Sequence, residues 1–224
     1  MNIKIENNPV LKNQDVELNH SLSIIKSING GGKTIFVNEV RKCYKNAIFL
    51  NREFIFDFFT SRHINDYVGK FKKNNYTTVI YKYISEFYER LNCGESFVEE
   101  FSEFAQKLNL SISIDKNAIN AGILRFTNNS GSVIQFYEIS NSEKTAFILW
   151  IATKCISDVL ILDNIDCVFF DCNIFYGLLS DISDSMQIIS TSNREIEILQ
   201  EYQFEIESGV VNKSLTNKIK IVLL

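Results

Sequence analysis

The chain has 224 residues, 46% of them hydrophobic and 22% charged, enough for one substantial core or one domain with an elaborated subdomain. Its net charge of −4 provides no general attraction to nucleic acid, so any such contact must come from a local patch. Five scattered cysteines without a Cys-x-x-Cys pair argue against a disulfide framework and a zinc site, and no apolar run has the length of a signal-peptide core or a membrane span, so a cytoplasmic protein is expected.

Short alternating pieces, Ile3-Lys4-Ile5 and Val16-Glu17-Leu18, lie between the turn residues Asn7, Asn8, Pro9 and Asn13 and predict antiparallel N-terminal strands. The apolar run Leu22-Ser23-Ile24-Ile25 predicts a strand that enters a glycine-rich loop, followed by a helix over 34–44. Ala47-Ile48-Phe49-Leu50 is short, apolar and bounded by polar residues, the form of a buried strand. Residues 54–108 are charged, aromatic and helical in period, with Ile80, Tyr83, Ile84, Phe87, Tyr88 and Leu91 on one face, and predict an inserted helical subdomain. Then come Ile112-Ser113-Ile114 and a hairpin, 122–126 and 133–136, around Asn128-Asn129-Ser130-Gly131. A largely buried helix is expected over 143–155, because Ala146, Phe147, Leu149, Trp150 and Ile151 cover a wide face. Val159-Leu160-Ile161-Leu162-Asp163 has the continuous apolar form of a central parallel strand closing on an acid. A helix over 169–179, a buried strand over 187–192, a short helix over 195–202 and closing strands over 204–211 and 218–223 complete the expected order. Strands alternating with helices in this half imply a parallel α/β core.

The loop reads Ser27-Ile28-Asn29-Gly30-Gly31-Gly32-Lys33-Thr34, a phosphate-binding loop of the form G-x-x-x-x-G-K-[ST] with Ser27 at the first glycine. Strand before and helix after are the context the motif requires. Backbone N–H groups of Asn29, Gly30, Gly31 and Gly32 can wrap phosphates, and the helix N-terminus adds its partial positive charge. Lys33 reaches the β- and γ-phosphates of ATP in this reading, and the Thr34 hydroxyl holds Mg²⁺. Asp163, at the carboxyl end of the apolar strand, is the metal-side partner of the loop.

Ile139-Ser140-Asn141-Ser142-Glu143-Lys144, running into the helix before the Asp163 strand, resembles the signature motif of ATP-binding-cassette type ATPases. The order of glycine loop, helical insertion, hairpin, signature, acid-terminated strand and switch strand Ile188-Ile189-Ser190-Thr191-Ser192-Asn193 is similar to that family over residues 2–200. The resemblance is greatest to the SMC-like, RecF-like and OLD-family heads, which act on DNA or in phage defence. It implies an α/β P-loop NTPase of the cassette ATPase type: a mixed sheet with antiparallel N-terminal strands, a parallel core and a helical insertion, with residues 1–53 and 111–224 forming the ATPase core and 54–110 the inserted helical subdomain. It also implies that Ser140, Ser142 and Glu143 of one copy face ATP held by another, in a homodimer or in a heteromer with a protein effector. Lys33, Asp163 and Asn164 take the catalytic positions.

Four positions depart from the family. Ser27 and Ser142 replace glycines, Asn164 replaces the glutamate that polarises the attacking water, and Ser192 replaces the switch histidine. An amide orients water but cannot take its proton, and loss of a general base removes about 10²- to 10⁴-fold of rate. The expectation is an ATP- and Mg²⁺-binding head with weak hydrolysis; the alternative is a non-hydrolysing, nucleotide-gated scaffold or regulatory subunit. Asp166 is the nearest substitute acid, unless it caps the following helix. Arg52 follows the Ile48–Leu50 strand where related heads sense the γ-phosphate. Tyr67-Val68-Gly69-Lys70-Phe71-Lys72-Lys73, near Tyr76, mixes charge and rings as a single-strand nucleic-acid surface does, but the acids after it favour a solvated helix face.

Overall fold

The computed structural model describes residues 2–18, 21–44, 46–52, 55, 96–115, 125–135, 137–155, 157–199 and 202–213. Strands β1 (Asn2–Ile5) and β2 (Gln14–Glu17) pair antiparallel as the alternation predicts, with Ile3 opposite Val16 and both buried. β3 (Leu22–Lys26) leads through the glycine loop into α1 (Lys33–Cys43), and β4 (Ala47–Asn51) follows. Next come α2 (Ser96–Lys107) and a small antiparallel sheet of β5 (Ile112–Ile114), β6 (Arg125–Asn128) and β7 (Val133–Gln135). Helix α3 (Asn141–Lys154), β8 (Val159–Asp163), a 3-10 turn at Asp166–Val168, α4 (Cys172–Ser183), β9 (Gln187–Ser192) and the hairpin β10 (Gln203–Glu207) and β11 (Val210–Lys213) follow.

The main sheet runs β11-β10-β3-β9-β8-β4, parallel throughout except for the edge hairpin. Strands β3, β4 and β8 carry apolar residues on both faces, and successive side chains point to opposite sides. Leu22, Ile24, Ile48, Leu50, Leu160, Leu162 and Ile188 join a core under α2, α3 and α4. Ile25, Ala47, Val159, Ile161 and Ile189 join the other, with Phe36, Val37 and Val40 of α1 and Ile3, Ile5 and Val16 of the small N-terminal sheet. The register sets Lys26 opposite Ser192 and Thr191 opposite Asp163, so the carboxyl ends of β3, β8 and β9 share one edge. Ligands bind at that edge in open α/β sheets.

In the first core, the Phe101 ring of α2 lies 5.4 Å from both Phe147 and Trp150 of α3 and 6.0 Å from Phe126 of β6. The helix thus packs into the sheet's own core. Among the described residues, no helix is long and apolar enough to cross a membrane.

Three expectations change. Residues 195–199 form no helix: Gln203 Nε2 donates to the carbonyls of Ile196 (3.1 Å) and Ile198 (2.9 Å), the Cys172 thiol donates to that of Glu195, and Leu199 has φ 56°, so side chains satisfy carbonyls that a helix would bond. The predicted strand over 204–211 is a hairpin, because Ser208 and Gly209 take φ 50° and 79° and turn the chain within two residues. Helix α4 starts three residues later than expected, at Cys172, and Asp171 caps it by accepting from Asn173 N at 2.8 Å, so Asp166 does not. The greater part of the predicted insertion, the 67–73 patch, residues 122–124 and the 218–223 strand lie outside the described residues.

Candidate functional site

The site begins with the turn that carries β3 into α1. Gly30 and Gly32 lie at φ 79° and 96°, a region that residues with a Cβ rarely adopt. Gly32 is the N-cap of α1, no side chain caps the helix there, and a Cβ on it would sit 3.2 Å from Leu11 and 3.4 Å from Val10. The first-turn N–H groups of α1 therefore open onto the loop. Ser27, the departure from the motif, laces the loop to the sheet: its N donates to Ser192 O at 3.3 Å and its Oγ to Ile206 O at 3.1 Å.

Lys33 is buried and its ammonium donates to the loop's own carbonyls, Ser27 O at 2.6 Å and Ile28 O at 2.9 Å. Desolvation lowers its pKa, against the opposing pull of the Asp163 and Asp166 charges. Thr34 Oγ1 donates to Asp163 Oδ2 at 2.8 Å, and Thr191 Oγ1 donates to Asp163 Oδ1 at 2.7 Å. Both carboxylate oxygens are thereby oriented at the end of β8. Such a hydroxyl and carboxylate fit a small hard cation that takes its remaining oxygens from phosphate and water.

Asn164 follows with φ 56°, a backbone state that asparagine tolerates. Its N donates to Thr191 Oγ1 at 2.9 Å, while its side-chain Oδ1 is buried without a hydrogen bond among the described residues. Ser192 is wholly buried: its hydroxyl donates to Asp166 Oδ2 and accepts from Arg194 N at 3.0 Å. Asp166 is itself 0% exposed, and burial raises its pKa, offset in part by the Ser192 hydrogen bond and the Arg194 charge. Arg194 holds the following segment through three carbonyls, donating to Asp166 O (3.2 Å), Phe169 O (2.7 Å) and Phe170 O (2.9 Å).

Asn193 is exposed and its Nδ2 donates to Asn29 Oδ1 of the loop at 2.9 Å. A cavity of about 770 Å³ opens beside this contact, lined among others by Ser27, Gly30, Gly31, Asn193, Arg194 and Glu207. Arg52 is exposed just past β4 and borders a small cleft with Thr145 and Ile165.

Residues 29–34 and Asp163–Asn164 thus meet at one sheet edge. Ser140, Ser142 and Glu143 do not join them. Their hydrogen bonds run to one another: Ser140 Oγ accepts from Glu143 N at 3.3 Å, Glu143 Oε2 accepts from Ser140 N at 2.7 Å, and the Ser140 and Ser142 hydroxyls are 3.2 Å apart. Sequence reasoning placed Thr191 and Asn193 on the switch strand without giving them a role, and it did not single out Arg194. The signal for Arg194 was position, in the polar stretch just past that strand.

No protein-family model matches the chain, and no curated protein matches it. Solved structures do match. One is the dimeric, post-hydrolysis ATP-binding cassette MJ0796 bound to ADP and Pi: TM-score 0.50, 10% identity, 96% of each chain covered. The bacterial ABC transporter cassette MJ0796 in a second dimeric structure has TM-score 0.50 at 11% identity, covering 93% of this chain and 92% of that one. CbiO1 of Clostridium perfringens, part of the ABC transporter complex CbiONQ, has TM-score 0.50 at 12% identity, covering 95% and 88%. With its parallel core, antiparallel strands and glycine loop, the chain has the fold of an ATP-binding-cassette type ATPase head.

Proposed function

We propose that the chain binds ATP with Mg²⁺ and uses the nucleotide to dimerise, hydrolysing it slowly. The observation that carries this reading is the Thr34 Oγ1 to Asp163 Oδ2 contact at 2.8 Å beside the Lys33 ammonium, which joins loop and acid at the carboxyl edge of the parallel strands. Backbone N–H groups of Asn29 to Gly32 and the first turn of α1 receive phosphate oxygens. Lys33 leaves the carbonyls of Ser27 and Ile28 for the β- and γ-phosphates. Thr34 and Asp163 would hold Mg²⁺, which when bound would supply positive charge to those phosphates, and Thr191 keeps Asp163 aimed. Asn164 orients water without accepting its proton, so turnover falls by about 10²- to 10⁴-fold relative to a site with a carboxylate there.

The dimeric state of the MJ0796 cassette supports a homodimer, in which Ser140, Ser142 and Glu143 at the N-terminus of α3 face the phosphates held by the other copy. The Asn164 amide, which cannot take a proton from water, also favours the second reading, a non-hydrolysing, nucleotide-gated scaffold for a protein effector. A core of 1–53 and 111–224 with an insertion at 54–110, a cytoplasmic location, and service in a DNA-acting or phage-defence complex are parts of the proposal that rest on the sequence resemblance.

Light scattering with and without ATP and Mg²⁺, run beside a phosphate-release assay, tests it. The expected result is a mass that doubles with ATP, with slow release. Lys33→Ala, losing charged hydrogen bonds, weakens ATP binding by roughly tenfold to a hundredfold and abolishes the dimer. A monomeric mass at saturating ATP counts against dimerisation, and retention of ATP without release selects the scaffold.

A further inference from the structure

We infer that Phe170 is the anchor of a docking surface for a partner protein, one that presents an apolar face flanked by lysines or arginines. This goes beyond the nucleotide reading and does not depend on it. Phe170 is 101% exposed, more than any other large apolar side chain among the described residues. Its backbone is nevertheless fixed on both sides. Arg194 donates to Phe169 O at 2.7 Å and to Phe170 O at 2.9 Å, Asp171 accepts from Asn173 N at 2.8 Å, and the Phe169 ring stacks on Phe175 with centroids 4.8 Å apart. The Phe170 ring is thus displayed on an ordered mount, so little backbone freedom is lost when a partner covers it. Buried aromatic anchors carry much of the energy of protein interfaces.

The surface around the ring is built from two segments. The Cys172 thiol donates to Glu195 O, and Glu197 N donates to Asn173 Oδ1 at 3.2 Å, so residues 169–173 and 194–198 are joined. Ile198 adds a second exposed apolar side chain, and Asp171, Glu195 and Glu197 are all exposed. The bases nearby are already engaged. The Lys26 side chain, 14% exposed, lies 3.2 Å from Glu195, and the Arg194 guanidinium goes to three carbonyls. What reaches solvent beside Phe170 is therefore acidic, and charge complementarity selects a basic partner. The same acids repel nucleic-acid phosphates and anionic lipid. A second copy docked here about a two-fold axis would set these carboxylates against one another, a like-charge contact that costs affinity.

The test titrates the full chain into a labelled synthetic amphipathic helical peptide of leucine and lysine and reads fluorescence anisotropy, with the same peptide carrying glutamate for lysine as control. The lysine peptide is expected to bind and the glutamate peptide is not. Phe170→Ala, at a fully exposed position that leaves folding intact, is expected to weaken the lysine peptide by about tenfold or more. The combined Asp171→Asn, Glu195→Gln and Glu197→Gln variant keeps the helix cap and should lose most of the salt dependence of binding. Arg194→Lys loses the fork across the carbonyls of Phe169 and Phe170. It should weaken the peptide while Phe170 is present and add nothing once Phe170 is alanine, the coupling expected of a positioning residue. The inference is overturned if both peptides bind alike, if neither binds, or if Phe170→Ala leaves binding unchanged. A Phe170→Ala chain that keeps peptide binding but loses its ATP-dependent dimer assigns the ring to a second copy and overturns it as well.

Discussion

Ser27 Oγ lies 1.8 Å from the point where a Cβ on Gly31 would be built. The serine that interrupts the loop motif therefore makes a glycine obligatory four residues later, and its hydroxyl is fixed there by Ile206 O. Gly31→Ala is expected to cost about 1–3 kcal/mol through overpacking. Ser27→Gly in the same chain should return most of that loss, since it removes the atom in conflict. Denaturant midpoints of the two single variants and the double variant measure the coupling, and simple additivity would show that no crowding exists. At this scale Gly30–Thr34 and Asp163 were legible in the sequence, because loop chemistry demands glycine, lysine and hydroxyl in contiguous order. The inward turn of Ser192 was not. It depends on the buried Asp166 drawing the serine inward, and Asp166 is far away along the chain.

Helix α3 begins with a reciprocal capping box, in which Ser140 and Glu143 satisfy each other's backbone N–H groups, and buries every residue from Thr145 to Ala152. The stretch that resembles a nucleotide-facing signature is thus also a helix start, and substitutions can separate the two roles. Ser140→Ala is expected to lose about 0.5–2 kcal/mol of stability, read from the denaturant midpoint at constant slope. Ser140→Asp keeps a good cap and so keeps stability, yet sets a negative charge against the partner copy's phosphates. It should abolish the ATP-dependent dimer. A dimer that survives in Ser140→Asp would leave Ser140 with a capping role alone. Strands β3, β8 and β9 and helix α3 were legible because their apolar runs are long and continuous. The segment after Asn193 was misread as helix, because its carbonyls are taken by Gln203 and Cys172, partners that local periodicity does not reveal.

The whole molecule is organised by a parallel sheet with a separate core on each face, and the aromatic group Phe101, Phe126, Phe147 and Trp150 joins α2, the small sheet and α3 over one of them. Phe101→Ala should cost about 3–5 kcal/mol and lower a single unfolding transition, read by calorimetry. A separate early transition would show instead that α2 folds apart from the sheet. The sequence by itself determined the glycine loop, the acid at the end of an apolar strand and the type of most elements, because each depends on contiguous residues or on periodicity within one segment. Only the tertiary structure decided that β3 lies between β9 and β10, that Thr191 pairs with Asp163, and that Ser192 turns inward while Asn193 faces the loop. Those outcomes depend on strand order and register, which are set by how both faces of the sheet are buried at once.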